Sequence, residues 1–366
     1  MTYNIAVLEG DGIGPEIMQE GIKVLNAVSK KYHDNNFFLT YAPFGAKAYF
    51  EHGHPFPDVT KEVCDNADSI LKGPIGLSLD EMKKIPLEFS AESAVLALRN
   101  RYGTFANYRP VILPKSCADF SPLGPNGVGD GIDILMMREL LGGIYFGNKL
   151  EGKDTGMKYA SDDCTYTREQ VERFAHLCFK EAKRAGSKLT SVHKANVMAT
   201  SRFWNAIFEE VSKQYPNVKL ESMLVDNVAY QLVKNPTKLN GVMAFENKDG
   251  DIITDLGGGI LGSLGLMPTA CLNSEGKGYY EPAHGSAPDI AGKNIANPYS
   301  MIGSVALMLE KSFRLDKESK DIWDALTNVF AQGYRTRELS NKNTPLDKII
   351  STSQFGNLVE KNILGK

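Results

Sequence analysis

The chain has 366 residues, 42% of them hydrophobic and 23% charged, with a net charge of −3. That length supports two domains or one large α/β unit. Scattered, nearly balanced charge excludes nucleic acid and an anionic membrane as expected partners.

The five cysteines, Cys64, Cys117, Cys164, Cys178 and Cys271, form no CxxC pair and fit free thiols in a reducing cytosol. Met1 to Ile5 lacks a basic region followed by a long apolar one, so no signal peptide is expected and a cytoplasmic location is. The least polar stretch, 257–272, is glycine-rich, contains Pro268 and is too short to span a bilayer.

In chain order, Ile5-Ala6-Val7-Leu8 is a short apolar run that ends in glycines and reads as a buried strand. A helix is expected from Pro15 to about Lys31, with proline in its first turn and an apolar face of Ile17, Ile22, Leu25 and Val28. Further strands are expected at 37–41, 69–71, 132–137, 188–192, 218–224 and 241–245, and helices at 168–185, 201–215, 228–234 and 320–331. Such alternation argues an α/β fold with a largely parallel sheet. The Pro- and Gly-rich stretch 115–131 reads as a linker or surface loop.

Gly10-Asp11-Gly12-Ile13-Gly14-Pro15 follows a strand and opens a helix, but Pro15 stands where a GxGxxG fingerprint needs its last glycine. Tyr41-Ala42-Pro43 also replaces the acidic residue expected after the next strand. A Rossmann domain is therefore not expected. The stretch reads as a tight strand-to-helix turn, or as backbone around Ile13 that lines a nucleotide site of another kind.

Asp251 and Asp255 stand at i and i+4. On a helix they share one face, where like charges repel by a few tenths of a kcal/mol unless a cation lies between them. A hard divalent ion such as Mg2+ takes such oxygen ligands, while a solvated pair on an exposed helix is the alternative. Gly250 before the pair and Gly257-Gly258-Gly259 after it suggest a helix mouth beside mobile, close-packing backbone.

LEGDGIGPE at 8–16, ALRNRYGTFANYRP at 97–110, RELLGGIYFG at 138–147, SVHKAN at 191–196, the 251–255 pair and EPAHGSAPDIAGKNIAN at 281–297 together resemble the β-decarboxylating dehydrogenases. That family acts on 3-isopropylmalate, isocitrate, homoisocitrate and tartrate or D-malate. The resemblance covers nearly the whole chain, and 138–147 is most similar to the isopropylmalate branch. It implies a two-domain, non-Rossmann α/β subunit with parallel and mixed sheets. Residues 1–104 and 262–366 would form one domain with the cofactor loop. Residues 105–261 would form the other, with the metal and catalytic residues, the dimer contact and an arm near 150–167. The implied partner is a second copy, in a homodimer with shared active sites.

The resemblance further implies oxidative decarboxylation of a 3-substituted malate, dependent on NAD and on Mg2+ or Mn2+. Arg99, Arg109 and Arg138 fall on substrate-carboxylate positions, where planar guanidinium forks suit the two carboxylates of a malate. Asp226, Asp251 and Asp255 fall on metal positions, Lys194 on that of the base, and Tyr145 on that of the acid that acts after CO2 leaves. Lys194 and Asp226 would reach in from the neighbouring subunit. Ile13, Asn196, Glu281, His284, Gly285, Ser286, Ala287, Asp289 and Asn297 are the implied cofactor contacts.

Ser93, Val95, Leu96 and Val197 would meet the substrate's variable group. An apolar wall disfavours an unpaired carboxylate, so 3-isopropylmalate, and with it leucine synthesis, is the expected substrate. Homoisocitrate, isocitrate, D-malate, tartrate and larger substituted malates are the alternatives. Glu9, Leu141, His193, Phe245 and Asp249 depart from the isopropylmalate pattern and bear on substrate identity and cofactor packing. A silent regulatory subunit of the same fold should have lost catalytic side chains, and this chain retains them.

Overall fold

The computed structural model describes residues 1–365. The chain forms two compact units, Met1–Gly103 with Gly262–Lys366, and Thr104–Leu261. The first segment supplies strands β1 (Thr2–Leu8), β2 (Asn36–Tyr41) and β3 (Ser69–Lys72). The middle unit supplies β4 (Ala106–Pro114), β5 (Gly131–Glu139), β6 (Lys149–Leu150), β7 (Ser161–Asp162), β8 (Leu189–His193), β9 (Leu220–Leu224) and β10 (Gly241–Phe245). The last segment adds β11 (Pro268–Leu272) and β12 (Gly278–Pro282).

In the unit that holds both chain ends the strand order is β2-β1-β3-β12-β11. β1 is parallel to both its neighbours and β3 is parallel to β12, while β11 and β12 form an antiparallel hairpin. The carboxamide oxygen of Asn273 closes that hairpin by accepting from the N–H groups of Glu275 and Lys277, each at 3.0 Å. Ile5 to Leu8 are buried, as their apolar run predicts. The Gly14–Lys31 helix starts with proline in its first turn and buries Ile17, Leu25 and Val28 along with Met18 and Val24, whereas Ile22 is only half-buried.

In the middle unit the order is β4-β5-β10-β8-β9. β5, β10, β8 and β9 run parallel, and β4 is antiparallel to β5. Register places Phe245 opposite both Arg138 and Val192, and His193 opposite Leu224. The carboxyl ends of four parallel strands therefore lie side by side, the place where open α/β sheets gather functional groups.

The sheet is mixed in each unit, in keeping with the parallel and mixed sheets expected, because β4, β11 and β12 supply antiparallel pairs. Other expectations need correction. β4 escaped the pattern because Arg109, Pro110 and Pro114 interrupt its apolar run. Stretch 115–131 is not a linker between units: it holds the short helices Lys115–Cys117 and Gly124–Val128 and joins β4 to β5. Gly257 to Gly259 are not loop backbone either, since the Asn247–Leu261 helix runs through them. A Cβ on Gly257 would come within 2.8 Å of Val111 Cγ2, so glycine lets this helix lie close against β4. Within 150–167, β6 and β7 pair as a small hairpin whose Met157 and Tyr159 are strongly exposed. All five cysteines are free, and among the described residues no helix is long and apolar enough to cross a membrane.

Candidate active site

The end of β5 delivers Arg138 into a nearly dry setting, with 2% of the residue exposed. Its Nε and Nη2 donate to Asn247 Oδ1 at 3.0 and 2.8 Å, and its Nη1 donates to Asp251 Oδ1. The Tyr145 hydroxyl donates to the other oxygen of the same carboxylate at 3.1 Å. The Arg138 guanidinium carbon lies 5.8 Å from the centroid of the Tyr145 ring, within cation–π range.

Arg109 repeats this arrangement one helical turn along. It lies two residues beyond Asn107, the register partner of Arg138, so alternation places both arginines on one face of the sheet. Arg109 Nε donates to Asn107 Oδ1 at 2.7 Å, and its Nη1 donates to Thr254 Oγ1 at 2.7 Å and to Asp255 Oδ1 at 3.1 Å. Two arginines from adjacent strands thus hold two aspartates one turn apart on the Asn247–Leu261 helix. Cations explain how like charges are tolerated at i and i+4. The Asp251 and Asp255 side chains remain 40% and 57% exposed, so their carboxylates are open to solvent and ligands.

Lys194 follows the end of β8, and Asp226 is the second residue of the Val225–Lys234 helix that follows β9. Parallel pairing of these strands brings the two side chains together, with Lys194 Nζ 2.6 Å from Asp226 Oδ1. This bond to Lys194 holds the Asp226 carboxyl below its ordinary range. Lys194 is also tied by its backbone, because its N–H donates to Ser201 Oγ at 3.1 Å and Ser201 bonds in turn to Glu246. Burial pushes the Glu246 carboxyl up to about 7, against the Ser201 hydrogen bond. Asp226 is not gathered with Asp251 and Asp255: among the described residues, no three His, Cys, Asp or Glu side chains converge on a metal-sized point.

His193 proves to be a packing residue. Its Nδ1 accepts from the Ala195 N–H at 3.1 Å, which leaves the proton on Nε2, 2.7 Å from Ser222 Oγ. Burial lowers its pKa, so the ring is held neutral. Asn196 and Val197 are exposed on the turn after β8, and Val197 is 66% exposed.

Arg99, Ser93, Val95 and Leu96 belong to the Ala91–Tyr102 helix of the other unit. All four are half-buried rather than locked in the core. Arg99 Nε donates to Tyr279 Oη at 3.0 Å, and Ser93 Oγ donates to the Ser90 carbonyl at 2.8 Å.

That unit also contains a cavity of about 500 Å3, lined by Ile13, His284, Gly285, Ala287 and Asn297 from the expected cofactor contacts. Ile290 of the same 281–297 loop shares the lining, and Ser263, Leu264, Gly265, Arg337 and Glu338 share it without a sequence signal that could have found them. The Gly10–Pro15 turn reaches the loop through the Ile13 N–H, which donates to the Ser286 carbonyl at 2.8 Å. Asp11 is structural: its carboxylate accepts from the N–H groups of Ala46, Lys47 and Gly76. His284 Nδ1 lies 2.8 Å from the Gly285 carbonyl, while Nε2 is buried with no hydrogen-bond partner among the described residues. Burial lowers the His284 pKa, so the ring offers a neutral edge toward whatever fills the cavity. Asn297 Nδ2 donates to Glu338 Oε1 at 2.9 Å.

Four expected contacts do not line the cavity, and one of them, Asn196, belongs to the Thr104–Leu261 unit. Glu281 is paired with the buried Lys72, Ser286 Oγ donates to the Gly76 carbonyl at 2.7 Å, and Asp289 is exposed on the loop beside Ile290.

The family model for isocitrate/isopropylmalate dehydrogenase matches residues 4–359. The 3-isopropylmalate dehydrogenase of Clostridium acetobutylicum is 41% identical over 98% of this chain and 98% of its own length. That of Halalkalibacterium halodurans is 44% identical over 93% of each. Among solved structures, isocitrate dehydrogenase from Methylococcus capsulatus superposes with a TM-score of 0.85 at 29% identity, covering 99% of both chains. A β-decarboxylating dehydrogenase from Thermococcus kodakarensis gives 0.78 at 31% identity, covering 99% of this chain and 96% of that one. The chain belongs to the isocitrate/isopropylmalate dehydrogenase family and is a β-decarboxylating dehydrogenase.

Proposed function

We propose that this enzyme oxidises and decarboxylates a 3-substituted malate, 3-isopropylmalate foremost, with NAD+ and a divalent ion, as a cytoplasmic homodimer in leucine synthesis. The observation that carries the reading is the constellation of Arg138, Asp251 and Tyr145, repeated one turn along by Arg109 and Asp255. The names of the relatives support the substrate: several sequences about 41–44% identical are 3-isopropylmalate dehydrogenases.

The residues fit both groups. Asp251 and Asp255 offer an oxygen-only donor set one turn apart, the chemistry a hard divalent ion requires. One chain brings two of the three aspartates together, and we assign the third place to Asp226 of a second copy. The unpartnered buried Nε2 of His284 and the cavity around it fit an adenosine. When bound, the nicotinamide would accept the hydride and the divalent ion would draw charge from the substrate oxygen.

The chain's own residues do the rest. Arg99, Arg109 and Arg138 grip the two carboxylates and fix the substrate's orientation. Lys194 takes the hydroxyl proton as the alcohol becomes a ketone. Breaking the bond to the β-carboxylate releases CO2 and leaves its electron pair as an enolate, which Tyr145 protonates at carbon. Val95, Leu96 and Val197 supply apolar surface for the alkyl substituent, and Ser93 borders them.

The test is formation of reduced nicotinamide with 3-isopropylmalate, homoisocitrate, isocitrate and D-malate side by side. We expect the highest kcat/KM for 3-isopropylmalate. One methylene in an apolar pocket discriminates by only about 1–3 kcal/mol, so related alkylmalates should react as well. Preference for a tricarboxylate would overturn the alkyl-pocket reading, and no turnover with any of the four would overturn the whole.

A further inference from the structure

We propose that Asn247 is a positioning residue that keeps the substrate grip and the proton donor in register. The inference rests on the roles given above to Arg138 and Tyr145. Asn247 is the first residue of the helix that carries Asp251 a turn later, and it is fully buried. Its carboxamide serves two masters. The oxygen accepts both Nε and Nη2 of Arg138, at 3.0 and 2.8 Å, and the nitrogen donates to the Gly142 carbonyl at 2.9 Å. Gly142 lies three residues before Tyr145.

With the Nε–Nη2 edge engaged by Asn247, the guanidinium cannot rotate, and Nη1 is aimed at Asp251. The bond to Gly142 anchors the loop that carries Tyr145. That loop is held from other sides too. The Glu139 carboxylate accepts from the N–H groups of Leu141 and Gly142 at 3.0 and 2.7 Å, and the Gly143 N–H donates to the Thr165 carbonyl at 2.9 Å. Asn247 is itself tethered, because its backbone N–H donates to Tyr166 Oη at 2.8 Å. The amide presents an acceptor to the arginine and a donor to the carbonyl on one uncharged planar head at any pH.

The isosteric variant separates the two functions. Asn247→Asp retains an oxygen for Arg138 but turns a second oxygen toward the Gly142 carbonyl, so only the link to the Tyr145 loop is broken. Steady-state kinetics of the full-length enzyme, with NAD+ and the malate that supports turnover, should show kcat reduced by about tenfold or more with KM held within about threefold. Asn247→Ala loses both links, and KM should rise by about tenfold in addition. Tyr166→Phe removes only the hydroxyl that tethers Asn247 and should give a milder fall in kcat. It supplies the test if either Asn247 variant fails to fold.

A cycle with Tyr145→Phe shows whether Asn247 acts through Tyr145. Asn247→Asp should cost little more once the hydroxyl is gone. An equal loss in both backgrounds, or folded Asn247 and Tyr166 variants with unchanged kinetics, would overturn the proposal. If Tyr145→Phe and Arg138→Lys were themselves fully active, the underlying reading would fall instead.

Discussion

The Arg138 guanidinium and the Asp251 carboxylate meet over a glycine. A Cβ on Gly250 would come 2.8 Å from Arg138 Cγ and 2.9 Å from its Cβ, so the arginine stem passes where any other residue would carry a side chain. Gly250 lies in the first turn of the helix, one residue before Asp251. Replacing a helical glycine by alanine ordinarily stabilises by about 1 kcal/mol. Here overpacking costs about 1–3 kcal/mol, because Phe245 Cβ also lies 3.0 Å from the new methyl. Gly250→Ala should therefore lower the thermal midpoint and reduce kcat/KM. A variant as stable and active as the parent would show that Arg138 does not need this path.

Lys194→Met and Tyr145→Phe should fail at different steps. Without the amine no base receives the hydroxyl proton, so Lys194→Met should give no burst of reduced nicotinamide in a single turnover. Without the phenol, oxidation precedes the missing step. Tyr145→Phe should therefore retain the burst, slow the steady state by about 10²-fold or more, and leave KM near its parent value. A burst of normal size with Lys194→Met would remove it from the role of base.

Excess chelator should abolish turnover, and Mg2+ or Mn2+ should restore it. Asp251→Asn, which removes one carboxylate charge from the pair, should raise the concentration of Mn2+ needed for half-maximal activity. Unchanged turnover in chelator would end the reading of Asp226, Asp251 and Asp255 as ligands.

The sequence exposes this site unevenly, for physical reasons. Asp251 and Asp255 are legible because helical spacing puts i and i+4 on one face whatever surrounds them. Their arginine partners are not, since the pairing of Arg138 with Asp251 depends on the register of β5 against β10 and on the helix that follows. Asn247 carries no sequence signal, because nothing in its spacing says that it is buried. His193 departs from the isopropylmalate pattern in sequence, yet its two hydrogen bonds show a neutral ring packed between β8 and β9. Arg337 and Glu338 enter the cavity from a segment forty residues beyond the cofactor loop, a juxtaposition that only the tertiary fold creates. β4 carries no strand signal because Arg109, Pro110 and Pro114 break its apolar run.

Glu139 should make stability depend on pH. Burial lifts its carboxyl to about 7, against the N–H groups of Leu141 and Gly142 and the charges of Arg173 and Arg138. The folded value lies above the unfolded one, so near pH 6 the native state keeps a proton that the unfolded chain has lost. Stability should then fall as pH rises from about 5 to 7 and level off above that. Glu246, also pushed up to about 7 by burial, acts in the same direction. Glu139→Gln should flatten the slope of the urea midpoint over this range. An unaltered slope would mean that the carboxylate is already ionised throughout.

The last prediction concerns the nucleotide. Ile290 lines the cavity and Asp289 precedes it, exposed on the same loop. A carboxylate there suits the paired hydroxyls of an adenosine ribose and repels a 2′-phosphate. Enzymes that use the phosphorylated cofactor need a cation in that place, and Ile290 adds neither charge nor a hydrogen bond. Arg337 also lines the cavity and supplies a positive charge, so the two residues oppose one another on this point. We expect Asp289 to prevail, because the exclusion it imposes is a like-charge contact, whereas an exposed arginine contributes only about 0–1 kcal/mol to binding an anion in water. The enzyme should prefer NAD+ to NADP+ in kcat/KM. Arg337→Ala should leave that preference nearly unchanged, and Asp289→Lys should narrow it. Equal use of both cofactors by the parent enzyme would overturn the assignment. A preference that disappeared with Arg337→Ala, but survived Asp289→Lys, would move cofactor discrimination to the far wall of the cavity.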